Sequence, residues 1–186
     1  FLAIVLAYVI IVAGLFYGLG INNIIVRKTA EVLHFPVAVV GADKFVTAKE
    51  LSEDLTAVKK FYESQDFAKI GLRVDFSTPD GQKRLKVKER KLLNKLIENR
   101  MIEKLSEERD ISVTDKMVQQ NVDRELERYG SGDNVKEKMA SLYGWDMDDF
   151  MEKIVKPDMY REELEKNMER NDAEYTKAKS KIDQAK

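Results

Sequence analysis

LKVKERKLLNKLIENRMIEKL, residues 85–105, places Leu85, Leu92, Leu93, Leu96, Ile97, Met101, Ile102 and Leu105 at three- and four-residue intervals with Lys, Arg and Glu between them. That spacing gathers the aliphatic side chains into one stripe on one helix. Just upstream, Thr78 can cap free N–H groups, Pro79 suits the first helical position, and Asp80 complements the positive helix end. The helix is expected to run to about Asp110. At ~1.5 Å per residue it would be roughly 45 Å long, more than one small partner can cover. Several other helices must therefore share the stripe. Aliphatic spacing carries no chemistry, so this stretch decides the fold and leaves function to other residues.

The composition narrows the function classes. A chain of 186 residues has room for one domain with an appendage, and 35% charged beside 44% hydrophobic residues is a normal balance for a folded protein. The net charge is −1, and acids and bases interleave without a basic patch, which gives no electrostatic case for nucleic acid. The absence of cysteine excludes a thiol nucleophile, a disulfide framework and a Cys-ligated zinc. His34 is the single histidine and reads as a boundary residue; a His-based triad or multi-histidine metal site cannot be assembled from this chain. There is no Gly-rich phosphate loop and no nucleophile–base pairing, so neither a catalytic residue nor a cofactor is expected.

Toward the N-terminus, no charge occurs between Phe1 and Val26, and FLAIVLAYVIIVAGLFYGLG supplies the ~20 apolar residues needed to cross a ~30 Å hydrocarbon core. Residues 1-26 read as a transmembrane anchor. A cleaved signal peptide fits less well, because its apolar core is usually ~7–15 residues and no small-residue cleavage site with a polar start follows. Gly14 and Gly18 form a GxxxG pair, which permits close approach of two membrane helices but is also common by chance. Arg27 and Lys28 follow the span, and the positive-inside rule taken alone puts that end in the cytoplasm. Residues 27-36 form a juxtamembrane connector, helical until Pro36 disfavours helix at Phe35.

Two apolar runs, Val37 to Val40 and Phe45-Val46, flank the turn residues Gly41 to Lys44 and predict a small hairpin. Thr47 with Glu50 then forms a capping box for a helix whose face carries Leu51, Leu55, Val58 and Tyr62 and which ends between Ser64 and Ile70. Beyond the long helix, Thr114 caps a helix bearing Met117, Val118, Val122, Leu126 and Tyr129, with Val113 and Val118 as a hydrophobic staple and Gly130-Ser131-Gly132 as its end. A short helix around Val135, Met139 and Leu142 stops at Gly144. Asp146, Asp148 and Asp149 resemble a metal cluster, but a capping aspartate with first-turn acids explains them more simply, and no metal is expected. Pro157 should kink or restart the last helix. Residues 171-186 are polar nearly all round and read as a helical connector or tail.

The fold class is therefore mainly α: an N-terminal transmembrane helix, a short β-hairpin, and a bundle of about five helices with one long central helix. This order is similar to that of the N-terminal module of SurA-type periplasmic chaperones. The likeness lies in Leu93, Leu96 and Ile97 of the long helix, then Glu108 to Ile111, Val113 to Val118, and Gly144 to Phe150. It covers roughly Val37 to Arg170 and marks 37-170 as the chaperone-like domain. The anchor ending at His34-Phe35-Pro36 also looks like membrane-tethered bacterial members of the family.

The resemblance implies a single-pass protein of the bacterial cytoplasmic membrane whose folded part is extracytoplasmic and binds unfolded or incompletely folded polypeptides. Many relatives carry a parvulin-type peptidyl-prolyl isomerase domain after this module, and no isomerase residue is carried over to this chain. The competing reading is a structural subunit docking on one fixed membrane-complex partner. Independently of the likeness, Met139, Tyr143, Trp145, Met147, Phe150 and Met151 cluster in one region. Adaptable Met side chains beside aromatic rings suit promiscuous peptide binding. The plainer alternative is that they form the core between short helices.

Overall fold

The computed structural model describes residues 2–18, 23–64, 74–129, 132–169, 177 and 179–183. In chain order its elements are α1 (Leu2–Ala13), α2 (Ile24–Val32), β1 (Pro36–Val40), β2 (Lys44–Thr47), α3 (Ala48–Ser64), α4 (Pro79–Glu107), α5 (Asp115–Tyr129), α6 (Gly132–Leu142), α7 (Met147–Phe150) and α8 (Lys156–Glu169). The described residues are mainly helical, with one antiparallel hairpin.

The sequence's own stop and start signals set these limits. Thr78 Oγ1 accepts from the Gly81 N–H at 3.0 Å, with Pro79 in the first turn of α4. Thr47 Oγ1 accepts from Glu50 at 3.2 Å and Thr114 Oγ1 from Met117 at 3.3 Å. Gly144 closes α6 at a φ of 76°, a conformation that costs glycine little. Pro157 lacks an N–H and crowds the preceding turn, and the chain before it widens into a π-helical turn, Met151–Val155, between α7 and α8. The Gly130-Ser131 stop, the side chain of Tyr129, residues 65–70 and most of 171-186 lie outside the described residues.

α4 carries three successive core clusters. Near its start Leu85 packs with Leu55 and Phe76, at its middle Leu96 packs with Val46 and Leu51, and near its end Ile102 packs with Leu164 and Met168. The expected stripe thus has different covers along its length: α3, then the hairpin, then α8. Cover from α8 also buries Glu98, whose Oε1 pairs with Arg161 Nη2 at 3.2 Å. Ile182, from the stretch expected as a polar tail, packs against the third cluster.

The hairpin pairs Val39 with Phe45 and Val40 with Lys44. Lys44 Nζ then reaches Glu103 at 3.0 Å and Glu107 at 2.6 Å, and Arg100 Nε donates to the Phe45 carbonyl at 3.1 Å. These bonds pin the hairpin to α4.

At the N-terminus the structure departs from the single expected helix. α1 passes into a π-helical turn at Gly14–Gly18, and Asn23 opens α2 by accepting from the Val26 N–H at 2.9 Å. The hydroxyls of Tyr8 and Thr29 meet at 2.9 Å, so α2 lies beside α1 instead of prolonging it. Two physical causes are legible: glycine weakens helix at 14 and 18, and Asn23 is a strong helix opener. Among the described residues, no helix is long and apolar enough to cross a membrane. Residues 27-32 of the expected connector 27-36 belong to α2, in which Ala30 is buried. His34 ends this helix at a φ of 52°.

Candidate functional site

The six residues singled out from the sequence fall on two sides of one short segment. α6 carries Met139, and the turn after it, held by Gly144, presents Tyr143 and Trp145 with ring centroids 5.0 Å apart and planes 20° from parallel. Met147 joins Trp145 in lining an open depression together with Lys60, Lys136 and Ala140. Met151 faces the other way, into a cleft shared with Val118 and Gln119 of α5. Phe150 ends α7 between them. All six side chains are half-buried, neither in the sealed core nor fully exposed.

Sequence reasoning missed the extent of the aromatic surface. Tyr143 stacks on Phe61 of α3 at 5.2 Å and 9°, and an edge contact links Phe61 to Tyr62 and Tyr62 to Phe76. The row of rings therefore runs from Trp145 across α3 to the start of α4. Lys60 Nζ closes the junction by donating to the Ala140 carbonyl at the end of α6, at 2.7 Å. The adjacent Phe61 and Tyr62 were the visible signal, since two neighbouring rings on a helix cannot both point to the same core.

Beside this shelf runs an acid-lined groove. α3 contributes Glu50, Glu53 and Asp54, and the α7 segment contributes Asp146, Asp148, Asp149 and Glu152; Leu96, Asn99 and Arg100 of α4 line it as well. Asp146 and Asp149 cap each other: Asp146 Oδ1 accepts from the Asp149 N–H at 2.8 Å, and the Asp146 N–H donates to Asp149 Oδ2 at 3.3 Å. The expected helix cap is thus present. Among the described residues, no group of three or more His, Cys, Asp or Glu is placed to hold a metal ion.

Two cations thread the groove. Arg100 Nη2 lies 2.9 Å from Glu50 Oε1, and Lys153 Nζ lies 3.0 Å from Asp54 Oδ1 and 3.5 Å from Glu53 Oε2. Burial raises the Glu50 pKa, against the lowering influence of the Arg100 charge. Burial works against the Lys153 ammonium, but the hydrogen bond to Asp54 and the charges of Asp54, Glu53 and Asp149 outweigh it and raise its pKa.

Compared with known proteins, the chain matches no protein family, no curated protein and no solved structure.

Proposed function

We propose that this chain is a membrane-anchored, extracytoplasmic chaperone module of the SurA type that holds unfolded or incompletely folded polypeptides. The observation that carries this reading is the half-buried stack of Tyr143 and Trp145 at the edge of an open depression, with Met147 beside it. Ring faces and flexible thioethers accept many apolar side chains without demanding one sequence. The bundle of about five helices is then α3, α4, α5, α6 and α8, and a parvulin-type isomerase downstream belongs to the same proposal.

The membrane part rests on exposed apolar surface. Ile4, Leu6, Ile10 and Ile11 of α1 and Ile24, Ile25 and Val32 of α2 are each at least 60% exposed. So many large apolar side chains facing outward are unfavourable in water, and lipid around residues 1-26 is the occupant proposed for them.

The test is promiscuity. The full chain in detergent micelles should suppress aggregation of several unrelated denatured proteins. Failure to do so, together with stoichiometric co-purification of one membrane partner, would replace this reading with that of a structural subunit.

A further inference from the structure

We infer that the groove between α3, α4 and the α7 segment receives a lysine- or arginine-bearing stretch of the bound polypeptide; this rests on the chaperone reading and names the class of client it prefers. Seven carboxylates line the groove against two cations, Arg100 and Lys153. Both cations are already engaged within the fold, Arg100 with Glu50 and Glu103 and Lys153 with Asp54 and Glu53. The surplus negative charge sits on the α7 segment, where Asp146, Asp148 and Asp149 also line the depression beside Trp145 and Met147. Lys60, bonded to the Ala140 carbonyl, and Lys136 line the far part of that depression, so the carboxylates of the α7 segment lie between the groove and the ring faces.

A second observation points to a donor in the same place. Asn99 lines the groove, is 9% exposed, and its Oδ1 has no hydrogen-bond partner among the described residues. A buried carbonyl oxygen left without a donor is costly, and an arriving N–H group would satisfy it. Ammonium and guanidinium groups carry only donors, and they match the acceptors of this groove, the Asn99 oxygen in its lining and the carboxylates around it. An acidic segment would meet like charge and leave Asn99 unsatisfied.

The test uses the full chain in detergent micelles and two short fluorescein-labelled peptides of Ser, Leu and Lys, the second with Glu at every Lys position. The lysine peptide should bind about tenfold or more tightly than its glutamate counterpart at low salt, as charge complementarity at an interface predicts. The preference should shrink as sodium chloride is raised. Asp148→Lys should abolish it and Asp148→Asn should weaken it. Asp148 is exposed, and unchanged circular dichroism would certify both variants as folded. Equal affinity for the two peptides, with aggregation of denatured proteins still suppressed, would overturn the cationic preference and leave the chaperone reading standing. A lysine preference without any suppression would uphold the groove and overturn that reading. Binding of neither peptide would overturn the groove assignment.

Discussion

Lys153 and Asp54, 99 positions apart in sequence, meet at 3.0 Å with side chains only 16% and 13% exposed. This contact ties the π-helical turn to α3. Asp54→Ala should therefore cost more than the ~1 kcal/mol of an exposed ion pair and less than the ~3–5 kcal/mol of a fully buried one. Chemical denaturation of the full chain and the variant in the same detergent measures it.

The same pair sets an alkaline limit. Lys153 and Lys44 have pKa values raised in the folded chain, so the stability they add is fully present below the ordinary lysine value and is lost as pH rises through the higher folded one. The melting temperature should fall from about pH 10 upward, where lysine begins to titrate. Lys153→Met should lower the melting temperature at neutral pH and make that alkaline fall shallower. An identical slope in both proteins would show that Lys153 is not part of the linkage.

Leu96 sits at the middle cluster of α4, packed with Val46 and Leu51. Leu96→Ala should cost ~2–5 kcal/mol through lost burial and a residual cavity. A loss below about 1 kcal/mol would mean that α4 is not the centre of the domain.

Trp145 is the single tryptophan, so its emission reports on the aromatic shelf alone. Adding an unfolded polypeptide should shift that emission, and Trp145→Ala should weaken client binding by ~1 kcal/mol or more, as loss of an aromatic anchor does. Because the ring also stacks on Tyr143, stability should fall by only ~0.5–1.5 kcal/mol. A loss of ~3–5 kcal/mol with unchanged emission would place the ring in the core instead.

Topology provides the last check. A reporter active only in the cytoplasm, fused after Lys186, should be silent if the folded part is extracytoplasmic. An active fusion would side with the local charges of Arg27 and Lys28.

Local chemistry was readable before the structure, and distant pairing was not. Thr78, Thr114, Asp146 and Gly144 announce helix ends because a cap is a matter of three or four neighbouring residues. The long helix was equally plain, since its spacing repeats over many turns. Glu98 reads as one of the charged residues between the aliphatic ones, yet it is buried, because Arg161 of α8 pairs with it on a side of α4 that the aliphatic pattern does not mark. The stacking of Phe61 on Tyr143 and the packing of Ile182 on the third cluster join segments with no local trace of each other. The placing of α2 beside α1 was hidden for a related reason: an uncharged run looks uniform to a hydropathy scale, whereas Asn23 opens a new helix by hydrogen bonding and the glycines at 14 and 18 weaken the first.

The junction between the apolar N-terminal helices and the hairpin has a mechanical consequence. Tyr17 stacks on Phe35 at 5.9 Å and donates its hydroxyl to the Pro36 carbonyl at 2.7 Å, while the Phe35 carbonyl accepts from the Ala48 N–H at 2.8 Å. The passage from α1 and α2 into β1 and α3 is a braced elbow in place of a slack tether. A surface that received the exposed side of α1 and α2 would therefore hold the Trp145 shelf at a set height and bearing, and under the chaperone proposal a client would be met from one direction.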